Sequence, residues 1–351
     1  MLDKPQTQNV GEGGIALQAG GAITVNNNGL SYLDVRAVAL DVFRANFYQL
    51  AGVAAETATE RAKDITEAFL AKLEKENPAG LAKAHDPDFQ YALYTAQKEH
   101  ARIGDKDLEA LLVDLLVDRS KQEGRDILQI VLNESLNTAP KLTDGQLSSL
   151  ALVFLFKYTQ NFNVGDHKMC GAYLDAHALP FIAKASRNQA SFQHLEFTGC
   201  GSISMGHSSL ENILGTVYQG QFQKGFDESE IAARQIAIGK DNRFFMPCFN
   251  APSKLQVNAN SKEILTKKFD KHAIDQADRQ HIEALFDAGK MTEAELREKS
   301  ILIRPYMKEL FELWSASAMP AFTLTSVGIA IGHANIKRLI GEFAQLSIWI
   351  N

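Results

Sequence analysis

Apolar residues alternate with small or polar residues near the beginning of the chain, in a segment that is rich in glycine. The segment covers residues 11–29, and its alternating aliphatic residues lie on either side of a Gly-Gly pair: Ile15, Leu17, Ile23 and Val25. A period of two around a Gly-Gly pair predicts a β-hairpin. We therefore expect residues 1–29 to form a Gly-rich β head.

The predicted hairpin is too small to hide its own apolar face, because about three strands or a packing partner are needed for that. Two interpretations are open. The hairpin packs on the body of its own chain or remains a loose tail, or like segments from several subunits stack and pair their open strand edges. The glycine-rich spacing favours stacking. The four aliphatic residues are thus the predicted oligomerisation residues, and the predicted partner is another copy of the chain.

After the head, the pattern changes to the helical period. In residues 52–76, apolar residues recur at steps of three and four, and charged residues fill the other faces: Ala58, Ala62, Ile65, Phe69 and Leu73 are the apolar set. This spacing predicts an amphipathic helix with one buried face. Residues 30–160 as a whole are predicted to form a helical bundle.

One helix of this bundle is predicted to lie at its centre. Residues 147–158 are apolar on nearly every face, which is typical of a helix surrounded by protein. Thr143 and Gln146 form a capping-box pattern before it, and Thr292 with Glu295 repeats that pattern later in the chain. Both pairs predict the starting points of helices.

The rest of the chain divides into two regions with different sequence patterns. Residues 161–255 are irregular and contain many glycines, histidines and all three cysteines, whereas residues 256–351 return to the helical period. The chain is predicted to end with a strand at 321–324, a helix capped by Thr325 and a strand at 346–350. The predicted fold class is mainly α: a helical bundle body with a short N-terminal β-hairpin and a small C-terminal strand-helix-strand element.

Composition narrows the classes of function. A formal charge of -6 over 351 residues does not provide the broad basic field that nucleic-acid backbones require, so no nucleic-acid partner is expected. Three widely spaced cysteines indicate reduced thiols, and the polar start of the chain lacks the pattern of a secretion signal. We expect a cytoplasmic protein.

A cysteine flanked by glycines is the candidate for catalysis. Cys200 lies between Gly199 and Gly201, with His194 before it and His207 after it. A cysteine nucleophile needs a base within hydrogen-bond reach and free backbone amides for an oxyanion. The alternative function is therefore a cysteine-dependent hydrolase or transferase that uses Cys200 with His194 or His207. A free cysteine is more often a small buried apolar residue, so the leading expectation is that the chain has no catalytic residues.

The sequence does not predict a zinc site. His167 and Cys170 form one closely spaced ligand pair, whereas structural zinc sites usually have two such pairs. The glycines near Cys200 also lack the Lys-Ser or Lys-Thr of a phosphate-binding loop. No metal and no cofactor are expected.

A stretch without Asp, Glu, Lys or Arg covers residues 314–336 and is long enough to cross a bilayer. Its serines, threonines, glycines and Pro320 make it too polar and too broken for a membrane helix, and the apolar stripe of helical spacing continues past Lys337. We interpret it as core, so no stable membrane insertion is expected. A membrane-active effector that releases this stretch is the third hypothesis.

Several segments resemble an uncharacterised bacterial cytoplasmic protein family with a Gly-rich β head and a helical body. The similar segments are 16–25 with its LQAGG run, 29–36 (GLSYLDVR), 39–43 (ALDVF), 88–93 (DFQYAL), 128–135 (LQIVLNES) and 346–350 (LSIWI). The family carries no established activity and supplies no functional residues.

Similar glycine-rich heads precede helical or effector regions in other bacterial proteins, some of them associated with defence. This resemblance implies a modular assembly element. The leading hypothesis is a non-enzymatic, self-assembling cytoplasmic protein in bacterial stress or phage defence.

Overall fold

The computed structural model describes residues 31–47 and 52–351. The predicted hairpin, with Ile15, Leu17, Ile23 and Val25, lies outside the described residues. The described part is mainly α-helical, as predicted from the sequence. The helices of its first half are α1 (Tyr32–Asn46), α2 (Val53–Glu76), α3 (Pro87–Ile103), α4 (Lys106–Ser120), α5 (Ile127–Thr138) and α6 (Asp144–Tyr158).

The second half contains shorter helices and short strands. The helices are α7 (His167–His177), α8 (Leu179–Ile182), α9 (Gln189–Phe197), α10 (Leu210–Val217), α11 (Ser229–Ala233), α12 (Lys262–Lys271), α13 (Gln276–Ala288), α14 (Glu293–Ile303), α15 (Met307–Ala316) and α16 (Ser326–Ile340). The strands are β1 (Gly201–Ile203), β2 (Phe245–Pro247), β3 (Leu255–Val257) and β4 (Phe322–Leu324). Short 3₁₀ helices cover Pro78–His85, Ala139–Lys141, Gln219–Phe222, Met319–Ala321 and Leu346–Ile348.

Side-chain caps fix where many of the helices begin. Both predicted capping boxes are present. The hydroxyls of Thr143 and Thr292 each accept a hydrogen bond from the third helical amide, and the backbone amide of each threonine donates to the side-chain oxygen of Gln146 or Glu295. Ser31 forms a third box with Asp34 at the start of α1. Each box satisfies two amides that the helix itself leaves free.

The strands form two small antiparallel pairs. β1 pairs with β4 so that Ser202 lies opposite Thr323, and β2 pairs with β3 so that Met246 lies opposite Gln256. The predicted strand at 321–324 is thus present as β4.

The strand predicted at residues 346–350 is wrong. Leu346–Ile348 is a turn of 3₁₀ helix in which the Trp349 amide donates to the Leu346 carbonyl at 3.0 Å. Leu346 and Ile350 are buried whereas Ile348 is 62% exposed, so the three aliphatic residues do not share a face. Trp349 anchors the chain end, since its Nε1 donates to the Tyr158 carbonyl at 2.7 Å.

One large core joins the bundle helices to the C-terminal helices. It contains buried residues from Val35 in α1 to Ile350, and a smaller separate core is built from residues of α11, α12, α13 and β3 around Phe244, Phe269 and Phe286. The helix α6 lies at the centre, as predicted, because every residue from Gln146 to Phe156 is buried.

The helices α6 and α16 approach each other closely at glycines. A Cβ atom on Gly332 would lie 2.9 Å from the Leu150 carbonyl oxygen, and one on Gly328 would overlap the Cys200 carbonyl oxygen. The charge-free residues 314–336 belong to this core through α15 and α16. Within residues 31–47 and 52–351, no helix combines the length and the apolar character that crossing a bilayer requires.

Candidate functional sites

The thiol of Cys200 lies in the core between α9 and β1. Its side chain is fully buried, and this burial raises the pKa of the thiol to about 11. Its neighbour is the Thr198 hydroxyl, whose Oγ1 lies 3.6 Å from Sγ. A thiol with a pKa this high stays protonated at neutral pH and is a poor nucleophile.

The backbone of Cys200 connects three elements. Its amide donates to the Leu195 carbonyl at 2.8 Å, and its carbonyl accepts from the Thr325 amide at 3.1 Å. The same carbonyl packs against Gly328 of α16. The glycine-flanked cysteine therefore joins α9 and β1 to the start of α16.

The two candidate base residues lie elsewhere. His194 is half-buried on α9, with Nδ1 2.9 Å from Nε2 of Gln146. His207 is exposed in the loop between β1 and α10. In the described part of the chain, neither imidazole hydrogen-bonds to Cys200. The structure does not bring the three residues together as a nucleophile and its base.

His167, Cys170 and Cys248 each have a different environment. His167 Nε2 lies 2.8 Å from the Gln221 carbonyl oxygen, and the buried thiol of Cys248 donates to the Gln223 carbonyl at 3.3 Å. Burial raises the pKa of the Cys170 thiol to about 11. Among the described residues, no group of three or more His, Cys, Asp or Glu side chains has the geometry of a metal site.

The first helix has apolar residues on two sides. Val35, Ala39 and Phe43 are buried against the body. Leu33, Ala37 and Leu40 follow steps of four and three residues on a second, more exposed side, which we call the outer stripe of α1. Leu33 is 72% exposed, Ala37 is exposed and Leu40 is half-exposed.

Polar contacts fix α1 on the body and so hold the outer stripe in place. Gln97 of α3 donates to the Ala39 carbonyl at 3.2 Å, and the Tyr94 hydroxyl donates to the Asn46 carbonyl at 2.7 Å. Arg36 Nη2 donates to Glu67 of α2 at 2.9 Å. The outer stripe is therefore a fixed apolar surface, and it begins four residues after the predicted head.

A cleft of about 700 Å³ lies where the ends of α2 and α4 meet α5, α16 and residues 341–347. We call it the charged cleft. Its lining includes the apolar residues Leu128, Leu132 and Phe343 and the charged residues Lys121, Asp118 and Lys337. Its volume lies in the range of small-molecule sites.

Lys337 is the centre of a network of ion pairs beside the cleft. Its Nζ lies 2.9 Å from Asp118 Oδ1, 3.3 Å from Glu76 Oε2 and 3.5 Å from Asp114 Oδ1. Burial lowers the pKa of Lys337, but the three carboxylates outweigh burial and the pKa is raised overall. The lysine ammonium is thus the cation that balances these three carboxylates.

Two further lysines balance the charges of this network. Lys72 Nζ lies 2.6 Å from Asp114 Oδ1, and Lys121 Nζ lies 2.9 Å from Asp118 Oδ1. Burial raises the pKa of Asp114, whereas Lys337 and Lys121 lower the pKa of Asp118 against the effect of burial. Three cations face three carboxylates, so the network neutralises itself and ties α2, α4 and α16 together.

His333 lies on the floor of the charged cleft. Its Nε2 is 2.7 Å from the Ala344 carbonyl oxygen, which can only accept, so Nε2 carries the proton. Burial lowers the pKa of His333 and keeps the ring neutral. This bond and the contact of the ring with Phe343 hold residues 341–347 over the cleft.

A protein-family model whose description names no activity matches residues 29–350. The chain belongs to this uncharacterised family. The resemblance noted from the sequence is thereby confirmed for the body, and residues 1–28 lie outside the match. No curated protein and no solved structure matches the chain.

Sequence reasoning missed both the outer stripe and the charged network of this family member. The signal for the network is the position of charges inside apolar helices: Asp114 and Asp118 interrupt the leucines of α4, and Lys337 follows a long apolar run in α16. Charged residues in such positions are buried only when they are paired. The signal for the outer stripe is that α1 has more apolar residues than one buried face of a helix needs.

Proposed function

We propose that the protein is a non-enzymatic, self-assembling cytoplasmic protein in which the head, residues 1–29, clusters the subunits. The observation that carries this proposal is the outer stripe of α1. A fixed, exposed apolar surface on a folded protein is typical of an interaction site. It begins at Leu33, four residues after the end of the predicted head.

The extent of the family supports a modular head. The family match begins at residue 29, where the predicted head ends, and covers the helical body. A head that precedes a shared body fits an element whose task is to bring bodies together. The helices then supply the contacts between neighbouring subunits.

The proposed setting is bacterial stress or phage defence. It rests on the resemblance of the Gly-rich head to heads that precede effector regions in defence-associated bacterial proteins. Bacteria that express the full chain are expected to yield fewer phage plaques than bacteria that express a variant with a disabled head. Equal plaque numbers across a panel of phages would remove the defence setting and leave self-assembly to its own test.

Serine substitutions at Ile15, Leu17, Ile23 and Val25 test self-assembly in the full chain. These changes remove the apolar face of the predicted hairpin, so the mass in solution is expected to fall towards that of one subunit. A matched control places serine at Gln18 and Thr24, polar residues of the same segment, and is expected to keep the mass. An unchanged mass in the fourfold variant would refute the proposal.

The cysteine-dependent enzyme stays a prediction. The burial of Cys200 and the raised pKa of its thiol weigh against it. Thiol labelling of Cys200 at pH 6 is expected to be slow in the folded protein, because only an activated thiolate reacts quickly below neutral pH. Fast labelling of Cys200 in the folded protein would favour the enzyme over the assembly protein.

The membrane-active effector also stays a prediction. Its charge-free stretch is divided between α15 and α16, and Trp314 and Ile331 within it are buried in the large core. Release of this stretch would therefore expose the main core. Leakage of dye from liposomes on addition of the assembled protein would support an effector, and intact liposomes would count against it.

A further inference from the structure

We infer that the outer stripe of α1 binds the outer stripe of a second copy, with the two helices parallel. This inference rests on the proposed function, because the head brings the copies together. It adds which surface they share and in which direction the helices run. The surface is defined by Leu33, Ala37 and Leu40.

The spacing of the outer stripe is that of a coiled-coil seam. Steps of four and three residues place Leu33 and Leu40 at one type of core position of a heptad and Ala37 at the other. The stripe lies on a different side of the helix from Val35, Ala39 and Phe43, which hold the helix on the body. A second helix can therefore pack on it without displacing α1.

The small side chain of Ala37 lies in the middle of the stripe. It allows the two backbones to come close there, while Leu33 and Leu40 supply the apolar area on either side. The 15 residues of α1 make a helix roughly 22 Å long. The apolar part of the seam covers Leu33 to Leu40, about two turns, and ends at Arg44, which occupies the next core position. We expect this short seam to add to the contact made by the heads.

Charges beside the stripe select the parallel direction. Arg36 borders the stripe on one side, and Asp34 and Asp41 border it on the other. In a parallel pair, the residue before one core position faces the residue five places later on the partner helix, so Arg36 faces Asp41 of the second copy. In an antiparallel pair, Arg36 faces Arg36 and aspartates face aspartates, which is unfavourable.

Arg36 and Asp41 each have a partner within the chain and can still accept a second one. Asp41 has a side chain 75% exposed and touches Arg44 at 3.5 Å. Arg36 is 31% exposed and gives one of its N–H groups to Glu67. A guanidinium has five N–H donors in a planar fork, so a second carboxylate can bind beside the first.

The short connection between the predicted head and α1 also favours parallel α1 helices. Ser31 caps the start of α1, so only residue 30 separates the predicted head from the cap. At about 3.5 Å per residue, that connection is shorter than α1 itself. If the heads are clustered, two α1 helices cannot lie side by side in antiparallel directions. Clustered heads therefore bring the amino ends of the α1 helices together.

Disulfide cross-linking in the full chain tests the direction. Leu33→Cys alone and Leu40→Cys alone are each expected to give a cross-linked dimer under mild oxidation, because parallel helices place identical residues opposite each other. Cys170, Cys200 and Cys248 are buried and do not compete. Ala45→Cys is the matched control, since Ala45 is exposed on α1 but lies off the stripe, and it is expected to remain uncross-linked.

The outcomes separate this inference from the proposed function. Cross-links that form only when the Leu33→Cys and Leu40→Cys proteins are mixed would show antiparallel helices and overturn the inference. The absence of cross-links in a protein whose mass still depends on the head would also overturn it, and self-assembly would stand. A protein that is monomeric with an intact head would refute the proposed function and the inference with it.

Discussion

The helices α1 and α16 are both 15 residues long, and both begin at a hydroxyl cap, but the fold uses them differently. In α16, every residue from Gly328 to Lys337 is buried, so all its faces contact the body. In α1, only Val35, Ala39 and Phe43 are buried, and the outer stripe is left exposed.

The difference shows how apolar residues can be assigned to folding or to association. The faces of α16 are all accounted for by contacts within the chain, including a lysine held by three carboxylates. The inner face of α1 is enough to fix that helix on the body. The outer stripe contributes less to the core of one subunit, because Leu33 and Ala37 are exposed and Leu40 is half-exposed, and we propose that it serves association.

The largest effect on stability is expected from Lys337→Met in α16. The change leaves Asp118, Glu76 and Asp114 without their central cation, and removing one partner of a buried ion pair costs about 3–5 kcal/mol of unfolding free energy. Urea unfolding measures this loss. Lys75→Met, an exposed lysine of the same cleft, is the control and should change the free energy by less than about 0.5 kcal/mol. Equal effects of the two variants would break the account of the network.

A methyl group on Gly328 is expected to have the next largest effect. Gly328→Ala places an atom against the Cys200 carbonyl oxygen, and such overpacking costs about 3 kcal/mol. Gly206→Ala is the control, because its added atom has the Ser204 hydroxyl as nearest neighbour at 3.6 Å. Thermal unfolding should separate the two variants clearly. A Gly328→Ala protein as stable as the control would show that α16 and the Cys200 segment are not tightly packed.

The pH dependence of stability tests the network around Lys337 without a substitution. The pKa of Lys337 is raised in the folded protein, so its contribution is complete below the unfolded pKa, about 10.4, and is lost as pH rises through the folded value. The pKa of Asp118 is lowered, so its contribution holds above about 3.9 and is lost as pH falls through its folded value.

The raised pKa of Asp114 acts in the opposite direction in acid, since protonation of this buried carboxyl favours the folded state. The alkaline side is therefore the cleaner test. The stability difference between the natural protein and Lys337→Met should shrink as pH rises above about 10. A difference that stays constant to pH 12 would mean that Lys337 does not stabilise the fold through its charge.

The smallest effect on subunit stability is expected on the outer stripe. In a chain that starts at Gly29, Leu33→Ser should change the unfolding free energy by less than about 0.5 kcal/mol, since the residue is 72% exposed. Val35→Ser, on the buried face of the same helix, should cost about 2 kcal/mol or more. Similar losses in the two variants would show that the outer stripe is part of the subunit core.

Much of the helical part could be predicted because local patterns decide it. The apolar set of α2, from Ala58 to Leu73, is buried as predicted, and the capping boxes at Thr143 and Thr292 mark the starts of α6 and α14. A capping box acts within four residues, and a regular apolar face repeats over several turns. Both signals are complete in the sequence.

Other features depend on contacts that no local pattern contains. The residues 346–350 read as a strand because three aliphatic residues alternate, yet a strand needs a neighbour, and these backbone groups bond within their own turn. The network around Lys337 joins residues from Lys72 to Lys337 that are distant in sequence. The burial of Cys200 likewise follows from its contact with α16 and could not be predicted from the adjacent glycines.

The mass of the protein in solution tests the central claim most directly. Light scattering should be measured at the same concentration for the full chain and for a chain that starts at Gly29. The account predicts a multimer for the full chain and a large fall in mass for the shortened one. A single-subunit mass for both chains would contradict the claim that the head and the outer stripe of α1 assemble this protein.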